Sequence, residues 1–164
     1  MIERRSNRAW VGIDNGVTGA ITILSDQGTV LKHIKTPVRD WLNYTKTKAF
    51  VTRVDYKRIK YELSTVYDLF IMVERPMIMP MGRWKSTVSA IRWMEATELA
   101  FEELGLPYQW LDSKEWQKAL LPAGLKGDDL KRGADAVGKR LFPKLTIVNS
   151  DSLLIAEYCR RTKR

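Results

Sequence analysis

Residues Trp10-Val11-Gly12-Ile13-Asp14-Asn15-Gly16 form a short apolar run that ends in an acid, and no other stretch constrains the fold as strongly. Up to Asp14 the run is rich in strand formers, and Asn15-Gly16 is a hairpin signal. An alternating stretch, Gly19-Ala20-Ile21-Thr22-Ile23-Leu24, follows at once. The reading is a rigid strand that delivers a carboxylate beside a turn, where an isolated Asp is costly to bury. Alone, such an Asp can equally cap its own turn. Two later stretches also end in acids. Leu69-Phe70-Ile71-Met72-Val73-Glu74 is continuously apolar up to its acid, as expected of a strand buried on both faces. Tyr108 to Leu111 is a short strand that closes on Asp112.

The other elements follow from periodicity and punctuation. Strands are expected at 9–14, 18–24 and 29–35, giving an antiparallel meander that Pro37 ends. Residues 38–50 read as irregular and basic, carrying Trp41, Tyr44 and Phe50, and 52–66 reads as an amphipathic helix through Val54, Ile59, Leu63 and Val66. After the strand at 69–74, two prolines and a glycine among methionines make Arg75 to Arg83 a loop. A long helix is expected at 84–104, capped by Gly105. A short helix opens at Ser113 and closes at Pro122. Another spans 128–141 through Leu130, Ala134, Val137 and Leu141, and a last one begins near Ser150. Together these give one α/β domain over 1–164, a mixed sheet flanked by helices.

Composition narrows the chemistry. The chain has 164 residues, one Cys (Cys159) and one His (His33). That excludes an internal disulfide and a cysteine-rich zinc site and points to a cytosolic setting. His33, flanked by lysines, reads as a surface residue. Metal chemistry would therefore have to use oxygen ligands. No run approaches the roughly 18 apolar residues of a membrane helix. Net charge is +9, with nine basic residues against two acids between Lys32 and Lys60 and four more in the tail after Cys159. Clustering of this kind favours a polyanionic partner.

Adjacent central strands ending in Asp14 and Glu74 can bring two carboxylates together, and Asp151 lies in the first turn of the last helix, where the helix dipole favours an anion. Each has an ordinary alternative: a turn cap for Asp14, pairing with Arg75 or Arg83 for Glu74, a helix-start acid for Asp151. Clustered carboxylates repel unless a divalent cation neutralises them.

Val11-Gly-Ile-Asp14-Asn-Gly, Val73-Glu74-Arg-Pro, Leu111-Asp-Ser-Lys114-Glu-Trp116 and Asp151-Ser-Leu-Leu-Ile-Ala-Glu-Tyr resemble, in order and over almost the whole chain, the RuvC-like Holliday junction resolvases, particularly their phage branch. The resemblance implies an RNase H-like fold with a mixed five-stranded sheet. It implies a homodimer that cuts four-way and other branched DNA in recombination, repair or phage debranching. By it, Asp14, Glu74 and Asp151 match the family's metal-binding acids, holding Mg²⁺ or Mn²⁺, two ions per site about 3.5–4 Å apart. Lys114, Lys126 and Lys131 fall where the family presents lysines to DNA. Arg83, Trp84 and Lys85, with Met79 and Met81, follow Glu74 as a candidate junction-contacting wedge. The helix at 84–104, with Trp93 and Met94 widening its apolar face, is the candidate dimer surface.

One position departs from the family pattern. An acid or a His is expected shortly before the final Asp, and Val148, Asn149 and Ser150 stand there. Asn149 either replaces a metal-binding acid or is a helix cap. In the first case the chain is a weakened nuclease or an inactive junction-binding protein. The opening hairpin also resembles that of the actin and sugar-kinase superfamily, whose ATPases need two such domains. Another RNase H-like nuclease would keep the same metal chemistry on a different substrate.

Overall fold

The computed structural model describes residues 8–42, 50–66, 68–76 and 84–163, without the side chains of 84 and 85. Along the chain run β1 (Ala9–Asp14), β2 (Ala20–Ser25), β3 (Val30–Lys35), β4 (Val38–Leu42), β5 (Phe50–Val54), α1 (Tyr56–Ser64), β6 (Leu69–Glu74), α2 (Trp84–Leu104), β7 (Tyr108–Leu111), α3 (Ser113–Leu120), α4 (Asp128–Leu141) and α5 (Ser150–Lys163). Five strands form one mixed sheet in the order β3-β2-β1-β6-β7. β1 pairs antiparallel with β2 and parallel with β6, which pairs parallel with β7. The carboxyl ends of β1, β6 and β7 therefore share one edge.

Two expectations need correction. The hairpin signalled at Asn15-Gly16 forms, but its connection runs over residues 15–19, closed by Gly19 N–H donating to Gly16 C=O, so the second strand starts at Ala20 rather than at 18. Residues 38–42 and 50–54 form a separate two-stranded hairpin, so α1 starts at Tyr56, where Asp55 caps it through Arg58 N–H. Val54 fits the helical stripe of Ile59, Leu63 and Val66 in sequence, but it pairs with Val38 and its backbone is extended.

Alternation in β1 divides the molecule into layers. Ala9, Val11 and Ile13 join Ile21, Ile23, Ile71 and Val73 against α1 and α2. Trp10 and Met72 face the other way, packing with Leu111, Trp116, Val137, Leu154 and Cys159 from β7, α3, α4 and α5. α5 lies very close to β1 because Gly12 has no side chain. A Cβ there would meet Ala156 N at 2.1 Å and Ser152 O at 2.3 Å. Cys159 is fully buried in this layer, its thiol reaching Phe70 C=O at 3.8 Å.

Candidate active site

Parallel pairing sets the site. Ile13 is the register partner of Val73, so the next residues, Asp14 and Glu74, stand side by side on neighbouring strands about 4.8 Å apart. By the strand alternation, both face the layer that holds α3, α4 and α5. The start of α5 brings Asp151 to the same edge. A cleft of about 600 Å³ opens there, lined by Asp14, Trp116, Lys131, Asp135, Asn149 and Asp151 among others. Glu74 is not part of this wall; it is close to Trp116, Asp14 and Asp151.

Burial and mutual repulsion shape the charges. Burial, then the charges of Asp14 and Asp151, push the Glu74 carboxyl up to about 8, with the Trp116 indole opposing. That indole N–H is buried and has no partner at hydrogen-bond distance. It stands near enough to Glu74 to favour its anion. Asp151 is raised to about 6 by burial and by Asp14 and Asp135, against Lys131. Asp14 is raised by burial and held back by the Asn149 amide. Glu74 thus feels both aspartates, and Asp151 feels Asp14 and Asp135.

These donors are all oxygens, the set that hard divalent cations prefer. The repulsion that Glu74 and Asp151 receive from neighbouring acids marks a place suited to added positive charge. As the side chains stand, however, no three Asp, Glu, His or Cys groups among the described residues are close enough to hold one ion. Asn149 stands beside Asp14. Its Oδ1 accepts from Ser152 N–H at 2.8 Å, and its Nδ2 donates to Asp14 Oδ2 at 2.8 Å. A backbone N–H can only donate, so the amide orientation is fixed and its NH₂ must face Asp14. Asn149 is therefore both a cap for α5 and a neighbour of the acids. The two readings of this residue are not exclusive.

His33 corrects the expectation of a surface residue. Its Nε2 accepts from Val148 N–H at 3.0 Å, which leaves Nδ1 to donate to Thr22 Oγ1 at 2.8 Å. Thr22 in turn meets Ser152 Oγ at 2.9 Å. The chain from β3 through β2 to α5 fixes the segment that carries Asn149 and Asp151. Burial holds the His33 ring below its ordinary value, consistent with the neutral form these bonds require.

The remaining expected residues divide clearly. Lys131 lines the cleft and acts on Asp151. Lys114 is exposed beside a neighbouring depression with Lys118, and Lys126 is exposed next to the cleft residue Gly127. Arg83, the side chains of Trp84 and Lys85, and Met79 and Met81 lie outside the described residues. Glu74 makes no ion pair with Arg75 among the described residues. Trp93 packs against the core under α2 instead of widening an outer face. Part of the basic surplus is engaged internally: Lys32 and Arg58 pair with Glu62, Lys60 with Glu103, and Arg160 and Arg161 with the buried Glu157. Asp135 was missed. It accepts from Ser150 Oγ at 2.5 Å and adds a further negative charge near Asp151. Its signal was available, because Asp135 follows Lys131 by one helical turn and borders the Leu130–Ala134–Val137 stripe.

The raised acids predict a pH dependence. They hold protons in the folded state that the unfolded chain releases, so folding stability falls as pH rises between 4.5 and about 8. Glu62, held low by Lys32, and Glu157, whose burial is outweighed by Arg160 and Arg161, titrate below that window. In EDTA the melting temperature should drop steadily from pH 5 to pH 8, and Glu74→Gln should flatten the drop. An unchanged slope in that variant would show that Glu74 is not the group responsible.

No family model matches the chain, and no curated protein matches it. Solved structures do. RuvC of Thermus thermophilus in complex with Holliday junction substrate superposes with a TM-score of 0.59 at 14% identity, over 91% of this chain and 90% of that one. A second Thermus thermophilus RuvC structure gives a TM-score of 0.54 at 15% identity, over 89% of each chain. With its mixed five-stranded sheet and flanking helices, this chain has the RuvC, RNase H-like fold.

Proposed function

We propose that the chain is a metal-dependent endonuclease that cuts branched DNA, the four-way junction above all, working as a homodimer. The observation that carries this reading is that Asp14, Glu74 and Asp151 come to one sheet edge, Asp14 and Asp151 lining a cleft that Lys131 borders and Glu74 lying close to both. The likeness to a RuvC bound to a Holliday junction supports the choice of substrate. Asp14, Glu74 and Asp151 would hold Mg²⁺ or Mn²⁺, which when bound supplies an activated water and stabilises a leaving oxygen. The chain's own residues set the stage. Lys131 offsets negative charge beside Asp151. Trp116 walls the cleft and lies beside Glu74. His33, Thr22 and Ser152 fix the start of α5. Two matched cuts on a four-way junction need two such sites, and a two-fold dimer provides them.

The test is cleavage of synthetic four-way, forked, linear and RNA–DNA hybrid substrates with Mg²⁺ and with EDTA, with the molar mass of the complex read by light scattering. Metal-dependent, paired cuts in the four-way substrate are expected. Equal cutting of linear duplex, or preference for the hybrid, would overturn the substrate assignment.

A second reading, a junction-binding protein with weakened catalysis, is favoured by the amide of Asn149 on Asp14. The change Asn149→Asp separates the two. The new carboxylate keeps the cap on Ser152 N–H but sets an oxygen against Asp14 Oδ2. Without metal the variant should melt lower than the parent. With Mg²⁺ it should bind the cation more tightly, since affinity follows ligand charge, and cut about tenfold faster at limiting metal. Superimposable rate-versus-Mg²⁺ curves for the two forms would reduce Asn149 to a cap.

A further inference from the structure

The one imidazole of the chain is wired to the acid site by a closed circuit of hydrogen bonds. His33 stands in a row that crosses three strands: His33 beside Thr22, and Thr22 beside Gly12, two residues before Asp14. These positions face α5, which lies against the sheet at Gly12. The ring's other partner, Val148, lines the cleft and precedes Asn149 and Asp151.

The circuit runs in one direction. A backbone N–H can only donate, so Val148 N–H, at 3.0 Å, requires a lone pair on His33 Nε2. In the neutral ring the proton then sits on Nδ1 and is given to Thr22 Oγ1 at 2.8 Å. Thr22 is fully buried, and Ser152 Oγ, at 2.9 Å, takes its hydrogen. Ser152, equally buried, donates to Asn149 C=O at 3.3 Å. Val148 N–H and Asn149 C=O, the two ends of one dipeptide, are thus both held. Asn149 carries the constraint on to Asp14, its Nδ2 donating to Oδ2 at 2.8 Å.

A second proton on the ring breaks the circuit. Imidazolium donates from both nitrogens, so Nε2–H and Val148 N–H would face each other as two donors. The surrounding elements carry few charges that bear on this. On the same side of the sheet β2 offers Ala20, Thr22 and Leu24, and β3 adds Lys35. The segment before α5 carries Lys144, and α5 carries Asp151 and Glu157, the latter paired with Arg160 and Arg161. Burial, rather than any of these charges, holds the ring below its ordinary value. The Val148 N–H works in the same sense, because it binds the neutral form. Resting on the proposed nuclease reading, we infer that His33 is a positioning residue for the acids, a latch that aims Asn149 and Asp151 only while its ring is neutral.

A single histidine gives a single set of imidazole signals in NMR. In the intact chain in EDTA, the nitrogen shifts above neutral pH should place the proton on Nδ1, and the ring should titrate below 6.5. Hydrogen exchange at the Val148 amide should quicken as the ring charges. Cleavage then reads the consequence. His33→Gln offers Val148 an acceptor that does not titrate, so its rate should follow pH only through the acids both proteins share. One pH unit below the measured midpoint about nine-tenths of the rings are charged, so the rate of the parent relative to His33→Gln should fall about tenfold. His33→Leu, with no acceptor, should be slow at every pH, and melting curves show whether each variant is folded. A proton on Nε2, exchange at Val148 that ignores the ring's titration, or a parent-to-Gln ratio that pH does not move would overturn the latch. If the intact chain cuts no junction at any pH, the nuclease reading fails, while the imidazole and amide signals still decide the latch.

Discussion

Replacing Asp14 with Asn is expected to lower Mg²⁺-dependent cleavage of a four-way junction by about 10²-fold or more and to leave junction binding in EDTA intact. Asp14 acts on both Glu74 and Asp151, so it is the hub of the cluster. The change is nearly isosteric and removes a charge that burial already disfavours. The fold should not suffer. Indeed, the metal-free variant should melt above the parent, because repulsion on Glu74 and Asp151 is relieved. Three measurements are needed together: cleavage rate with Mg²⁺, junction affinity in EDTA, and melting temperature in EDTA. Full activity in Asp14→Asn would remove this residue from the metal centre. Lost activity together with a lowered melting temperature would point to a folding defect instead.

Gly12→Ala is expected to be the most damaging change of a single methyl group. The added carbon would overlap backbone atoms of α5, Ala156 N at 2.1 Å and Ser152 O at 2.3 Å. No rotamer relieves a clash with backbone, so α5 must move away from β1. Overpacking of this kind costs about 3 kcal/mol, and in a chain of this size that lowers the melting temperature by about 10 °C. Asp151 travels with α5, so cleavage should fall even in the fraction that stays folded. Gly133→Ala is the control. There the new carbon meets only the end of the Leu125 side chain, which can turn aside. Thermal melts of the two variants compare the positions directly. Equal melting temperatures would show that α5 has room to shift.

Much of this architecture was written locally. The runs 9–14 and 69–74 are apolar up to their acids, and hydrogen bonding along two parallel strands turns those two endings into neighbours. The helices at 84–104, 113–120 and 128–141 follow from spacing and from their Gly and Pro boundaries. What escaped depends on distant partners. The β4–β5 hairpin alternates charge and apolar bulk on both faces, since only its root is buried, so no clean period of two appears. His33 looked like a surface residue among lysines because its partner, Val148, lies 115 positions away. Lys114, Lys126 and Lys131 were equivalent in sequence, and only the docking of α4 against α5 places Lys131 at the acids. For Asn149 the sequence offers two readings that look like rivals. The side chain has two ends, and the fold uses one for each.

Cys159 has a practical consequence. It is the one sulfhydryl in the chain, sealed under the sheet, and burial pushes its thiol up to about 12. Maleimides and other labelling reagents need a thiolate, so the native protein should be inert toward them under ordinary buffer conditions. A cysteine introduced at Thr52, on the exposed hairpin, would then be the sole reactive handle. One dye could be attached there without first rebuilding a cysteine-free background, and energy transfer to a labelled junction arm would report where the hairpin rests when DNA is bound.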